Sequence, residues 1–160
     1  MSAVHPNVDR ALRAAGVRYA VRRHVDCAQP ILRPDDFAAA LGYDVARIAK
    51  TILVRTLDGS RYACAVLSAN QRVDVKAVGG ILGRSRIELA ATDEVLARTG
   101  YPRTGVSPLG LGEDIPVIID EGLYRHPTVL VGAGDVGVEL EIAPADLQNA
   151  SNGTVAPISR

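Results

Sequence analysis

TVLVGAGDVGVELEIA, residues 128–143, is the stretch whose reading decides the fold. Its centre, GAGDVG at 132–137, satisfies the G-x-G-x-x-G pattern that follows the first strand of a dinucleotide-binding fold. In that fold the glycines open a helix whose N-terminus faces a pyrophosphate. Here the next residues, VELEIA, alternate apolar and acidic, and Pro144 follows, so a strand leaves the glycines. The acidic residue needed about 20 positions further on falls among residues 157–160, where none stands. The stretch reads as a β-hairpin turning around Asp135, and a nucleotide-binding reading fails.

Working outward, the same two-residue period recurs. KTILVRTL and SRYACAVLS flank Asp58-Gly59, a strong hairpin signal. VRYAVRR (17–23), RIELA (86–90) and IPVIID (115–120) read as further strands. Short helices are expected at 6–15, with Asn7 as cap and Gly16 as stop, and at PDDFAAALG (34–42). Others are expected at VDVKAVGGILG (73–83) up to its glycines, at DEVLART capped by Thr92, and at PADLQNA. Hairpins mixed with scattered helices argue for an α+β single domain over residues 1–160, with its core at about 6–150. Its sheet should be mixed, largely antiparallel and surrounded by short helices.

Hydrophobic residues make up 48% of the 160-residue chain and charged residues 22%, which suits a globular domain and not a disordered one. No apolar run approaches the ~20 residues of a membrane span, and the N-terminus lacks the apolar centre of a signal peptide. The expectation is a cytoplasmic protein without a membrane partner. Eighteen basic residues balance eighteen acidic ones, which argues against a protein that coats long nucleic acid, DNA included. A contact with RNA would need a local basic patch, for which Arg22, Arg23, Arg47 and Arg103 are candidates. Sixteen of the basic residues are arginine, and Lys50 and Lys76 are the two lysines.

Several motifs lose their chemistry on inspection. GVSPLG resembles a serine-hydrolase elbow, but Pro108 follows Ser107 and has no N–H for an oxyanion hole. His5, His24 and His126 lack metal-ligand spacing, and Cys27 and Cys64 are far apart, so neither a metal nor a disulfide is expected. Glu139 and Glu141 share a strand face that reads as solvated, and Asp35-Asp36 suits a helix N-terminus. Lys50, at the mouth of an apolar strand, has two readings: a strand-end lysine reaching water, or an ammonium held at a cleft edge for an anion.

Taken in order, several segments resemble the YbaK/EbsC group of aminoacyl-tRNA deacylases, also found as the editing domain inserted in bacterial prolyl-tRNA synthetases. They are AKTILV with Lys50, VDVKAVGGILG, TGYPRTGVSPLGL (99–111), IPVIID and VGAGDVGVELEIAPADL. Each is weak alone; the ordered set is specific, and it runs from about residue 6 to 150.

The resemblance implies hydrolysis of the ester joining a wrong amino acid, typically cysteine or alanine on tRNA(Pro), to the tRNA 3′-terminal adenosine. It implies that Lys50 holds the terminal nucleotide and that residues 104–108 (Thr104, Gly105, Val106, Ser107 and Pro108) line the aminoacyl pocket. Glu139 falls on a family acidic position; Gly132 and His24 join the implied substrate-binding set. The family leans on the substrate's own ribose hydroxyl or thiol, so no cofactor and no protein nucleophile are expected. Misacylated tRNA is the implied partner, with prolyl-tRNA synthetase a second candidate. Two positions depart from the family pattern: Thr104 stands where glycine is usual, and His24 where some members have tyrosine. Both bear on which amino acid is accepted. The alternative reading is a module of the same fold that binds an aminoacyl or nucleotide end without turnover.

Overall fold

Pro6 opens the first helix of the computed structural model, which describes residues 3–83 and 86–160. Helix α1, Pro6–Ala15, is capped by His5, whose Nδ1 accepts the Asn7 N–H at 3.1 Å. The cap therefore lies two residues before the expected Asn7, because Pro6 takes the first helical position, where no N–H is needed. Gly16 ends the helix in the left-handed region, as expected. Strand β1 covers Ala20–Arg23, shorter than its alternating run, and a 3-10 turn follows at His24–Asp26. Helix α2, Pro34–Leu41, has Asp36 accepting the N–H groups of Leu32 and Arg33, which holds that carboxyl below its ordinary range.

Strands β2, Ala49–Thr56, and β3, Tyr62–Ser68, form the expected hairpin. In its turn Asp58 accepts from the hydroxyl of Thr56 and from the N–H and hydroxyl of Ser60, which bring its pKa down to about 2. Helix α3, Val75–Ile81, is capped by Asp74 and runs through Gly79 and Gly80 instead of stopping at them. Strand β4 is Ile87–Leu89. In helix α4, Thr92–Thr99, Thr92 is the first helical residue, not the cap. The cap is Ala91, whose N–H donates to Glu94. Strands β5, Val117–Asp120, β6, Val129–Gly132, and β7, Val138–Ile142, follow, then helix α5, Pro144–Ser151. Strand β8, Thr154–Ala156, has no counterpart in the sequence reading.

The class is α+β with mixed, largely antiparallel pairing, as expected, but the strands divide into two sheets. One has three antiparallel strands in the order β1-β7-β6. The other has five in the order β4-β2-β3-β5-β8, antiparallel as far as β3 and parallel from β3 to β8. A bridge from Ile48 to Leu130 joins them. The largest core cluster draws Leu53, Cys64 and Val66 from one sheet and Val131, Val138 and Leu140 from the other, with Val8, Leu12 and Leu147 from α1 and α5. A second packs α3 on the opposite face of β3, so every residue of β3 is buried. A third seats Phe37 and Ala38 of α2 on Ile48 and Leu130, where the sheets meet. Burial pushes the Cys64 thiol up to about 12, and an apolar-buried thiol of that kind is inert. Among the described residues no helix is long and apolar enough to cross a membrane, and no cluster of His, Cys, Asp or Glu could hold a metal.

Candidate functional site

The site starts from an incomplete edge of β2. One edge of this strand pairs with β3 along Ala49–Arg55. On the other, β4 pairs only with Val54–Thr56, and β6 meets the chain at Ile48. Between those contacts, among the described residues, no strand covers the main chain of Ala49–Ile52. The Ala90 N–H closes the far end on the Leu53 carbonyl at 2.9 Å. A cleft of about 700 Å³ opens along this gap. Its walls are the end of β6 at Gly132, the start of β7 at Val138 and Glu139, the loop residues Thr104 and Val106, Phe37 of α2, and Val95 of α4.

Lys50 lies at the β2 side of this cleft, half-buried. Its Nζ donates to the carbonyls of Gln71 and, at 3.4 Å, Ala69, both in the turn after β3. Burial, then the nearby Arg72 charge, move its pKa below the ordinary lysine value. Two of three ammonium protons are thus committed to main-chain oxygens, which fixes the head group and leaves one for a ligand. Lys50 thus stands in the lining of the cleft, with its head group held by main-chain carbonyls.

Across the cleft, His24 Nε2 lies 2.6 Å from Glu139 Oε2, and the imidazole packs on the Phe37 ring with centroids 4.6 Å apart. The Glu139 side chain is only 14% exposed, so the expected solvated face is a covered one. Glu141, two residues on, is covered as well. It accepts from Thr128 at 2.6 Å, Tyr43 at 2.8 Å and Arg22 at 2.9 Å, and Arg47 stands 3.5 Å away. Burial pushes the Glu141 carboxyl up, but these hydrogen bonds together outweigh it, and the net shift is downward. Arg22 and Arg47 are therefore engaged by a largely covered carboxylate instead of forming an open basic patch. Of the four proposed patch arginines, Arg103 lines the cleft, beside Arg33, which the sequence reading missed.

The 99–111 loop is held at both ends. Tyr101 is fully buried and donates from its hydroxyl to the Leu109 carbonyl at 2.6 Å; burial raises that phenol to about 12. A 3-10 turn at Arg103–Gly105 then lays Gly105 against the β6–β7 turn, where its carbonyl accepts the Gly134 N–H at 2.8 Å. A Cβ on Gly105 would come within 2.7 Å of the Asp135 main chain, and one on Gly132 within 2.1 Å of the Val106 oxygen. The glycines of GAGDVG thus serve close packing of two chain segments and a turn.

Of the residues singled out from sequence, Lys50, His24, Thr104, Val106, Gly132 and Glu139 come together around one cleft. Gly105 stands behind it as packing. Ser107 is fully buried, its Oγ accepting the Leu109 N–H at 3.2 Å, and Pro108 lines a different groove between α1 and α5. Neither lines the cleft, because the 3-10 turn directs the chain inward after Val106. Sequence reasoning also missed Thr51, whose Oγ1 is the one buried side-chain oxygen among the described residues without a hydrogen-bond partner. Thr51 too lines the cleft, and its place beside Lys50 was the available signal.

Comparison with known proteins supplies relatives. The family described as the aminoacyl-tRNA editing domain matches residues 28–150. A protein of Enterococcus faecalis assigned as a Cys-tRNA(Pro)/Cys-tRNA(Cys) deacylase, EbsC, is 31% identical over 128 residues, covering 80% of this chain and 77% of that one. A proline–tRNA ligase of Pelobacter propionicus is 28% identical over 100 residues, which are 62% of this chain but 17% of the ligase. Among solved structures, the hypothetical protein APE2540 superimposes with a TM-score of 0.84 at 27% identity, over 96% of this chain and 99% of that one. A protein assigned as a trans-editing enzyme for prolyl tRNA synthetase shares the fold, with a TM-score of 0.79 at 22% identity over 99% of both chains.

Proposed function

The chain belongs to the aminoacyl-tRNA editing domain family, in its YbaK/EbsC group, and we propose that it hydrolyses misacylated tRNA, Cys- or Ala-tRNA(Pro) foremost. The domain that acts is the whole of residues 1–160, with the tRNA 3′ end as its partner. Prolyl-tRNA synthetase is a second candidate partner.

The observation that carries this reading is the cleft between β2 and β6, where a tethered ammonium faces a carboxylate across small and apolar walls. An aminoacyl-tRNA end offers a phosphate, a ribose, an activated ester and an α-ammonium. Lys50 donates its remaining proton to the terminal phosphate or ribose. Glu139, fixed by His24 through one oxygen, accepts from the α-ammonium through the other. The ester carbonyl then lies between the uncovered main chain of Ala49–Ile52 and the Thr104–Val106 loop. Hydrogen bonds from preset main-chain N–H groups stabilise the oxyanion as water, giving a proton to the neighbouring ribose hydroxyl, attacks the carbonyl. The bond from the carbonyl carbon to the ester oxygen breaks, the ribose oxygen takes up that proton, and the free amino acid departs. The ester is already activated, so positioning supplies much of the acceleration without a protein nucleophile.

Thr104, exposed and in the cleft lining, puts a side chain where the resemblance implies glycine, which narrows the entry. A small pocket excludes large side chains more readily than it rejects small ones, which fits cysteine or alanine. The test is a panel of Cys-, Ala-, Ser- and Pro-tRNA incubated with the purified protein. Release from Cys- or Ala-tRNA(Pro) is expected, reduced about 10²-fold by Lys50→Ala, the usual loss when a substrate is misplaced by about 1 Å. No release from any of the four at high protein concentration refutes the hydrolase; intact binding without release leaves the non-catalytic module.

A further inference from the structure

Asp120 is the last residue of β5, 3% exposed, and not part of the cleft lining. A buried carboxylate is costly unless every lone pair is used, and here they are well used. Oδ1 accepts the Ile158 N–H at 2.9 Å; Oδ2 accepts the Ser159 hydroxyl at 3.0 Å and the Gly122 N–H at 3.2 Å. Two of the three donors belong to the segment Ile158–Arg160. That segment is in turn laced to the turn between β3 and α3. The Asp74 N–H donates to the Ile158 carbonyl at 2.8 Å, and Arg72 and Arg160 exchange main-chain hydrogen bonds of 2.9 and 2.8 Å. Ile158 itself is fully buried against Val78 and Leu82 of the second core cluster.

The turn fastened in this way is the one that holds the lysine. Gln71, whose carbonyl accepts from Lys50 Nζ, immediately precedes Arg72. Its own anchorage toward β3 is one bond, from its N–H to the Ser68 carbonyl at 3.0 Å. A carbonyl fixes an ammonium only as well as the carbonyl is itself fixed.

We propose that Asp120 is a positioning residue for Lys50, acting through Ile158–Arg160 and the 72–74 main chain to hold the Gln71 carbonyl at the cleft. Its consequence for catalysis rests on the deacylase reading above; its consequence for the lysine does not. In Asp120→Asn, an amide NH2 replaces one acceptor. Whichever oxygen it replaces, it meets a main-chain N–H, that of Ile158 or that of Gly122, which can only donate, even where the Ser159 hydroxyl turns to accept from it. The segment is held less firmly and the turn gains freedom. The Lys50 head group then moves toward water.

The chain has only two lysines, and Lys76 is exposed on α3, so ¹³Cε signals from labelled lysine resolve Lys50 against an internal reference. Burial holds the wild-type Lys50 below the ordinary lysine value. In Asp120→Asn, and by a smaller step in Ser159→Ala, the Lys50 titration should move up toward that ordinary value. Deacylation should fall by on the order of tenfold to a hundredfold, mainly through KM. Ser159→Ala keeps the buried carboxylate and covers the event that Asp120→Asn does not fold. An unmoved Lys50 titration in a folded variant overturns the proposal, and so does a loss of activity with Lys50 unmoved, which marks Asp120 as structural only. If Lys50 moves while the wild type releases no amino acid, the positioning role stands and the hydrolase reading falls.

Discussion

Gly132→Ala isolates the contact that sets the shape of the cleft. Gly132 ends β6, opposite Glu139 in the hairpin register. A Cβ built there lies 2.1 Å from the Val106 carbonyl oxygen and 3.2 Å from that of Gly105. Real Cβ contacts essentially never fall below 3.0 Å, so the Val106 carbonyl must retreat by about 0.9 Å. The obstacle is main chain and cannot turn aside as a side chain would. Gly105 cannot absorb the movement, because it already packs on the Asp135 main chain and accepts from Gly134. The displacement goes into Thr104–Val106, the segment lining the cleft. Overpacking of this kind costs about 1–3 kcal/mol. For a domain of this length that lowers Tm by about 2–12 °C. A misplacement near 1 Å beside reacting atoms costs about 10²-fold in rate. Thermal melts and single-turnover deacylation, measured on the same preparation, read the two effects separately. Wild-type values in both would refute the packing argument. A lowered Tm with an unchanged rate would remove the loop from the reacting site.

Gly80→Ala is the matched control: it lies exposed within α3, a Cβ there meets nothing within 4 Å, and its conformation is helical. Replacing a helical glycine by alanine gains about 0.5–1 kcal/mol, so Tm should rise by about 1–4 °C with deacylation unchanged. Glu141→Gln tests the part-buried carboxylate. Its folded pKa is lowered, so its contribution is present above the ordinary glutamate value of about 4.3 and is lost as pH falls through the depressed one. Melts from pH 7 to pH 2 should therefore show a flatter acid limb in the variant and a lower Tm at pH 7. A parallel acid limb in both proteins would count against the assignment.

Period-two alternation on both sides of GAGDVG made the β6–β7 hairpin legible, and Asp58-Gly59 did the same for β2–β3. What stayed hidden depends on contacts between distant segments. β8 is three residues long, too short for a period to register, and exists because β5 offers it a parallel edge. The division into two sheets follows from β6 bridging, among the described residues, to Ile48 just before β2 and not to β2 itself, a choice of partner that no local pattern records. Ser107 and Pro108 follow Thr104–Val106 in sequence but leave the cleft, since motif adjacency says nothing about which way a 3-10 turn sends the chain. The partners of Lys50 are main-chain carbonyls, which every residue has and no sequence motif displays.

The same logic resolves how a chain of zero net charge can suit an RNA end. Its carboxylates are not spread evenly against its arginines. Glu141 takes up Arg22 and Arg47, Glu94 and Glu88 take up Arg55, and Asp9 takes up Arg13, all of them away from the cleft lining. Around the cleft stand Arg33, Lys50 and Arg103 against a single carboxylate, Glu139, itself joined to His24. The remaining field is local and positive, focused by low-dielectric walls on a space large enough for one nucleotide end. On the deacylase reading proposed above, it meets a few phosphates and not the length of a duplex, so binding of a tRNA 3′ end should show the shallow salt slope of a few released counterions. On that reading, neutrality of the whole and preference for a terminus are two results of one arrangement of pairs.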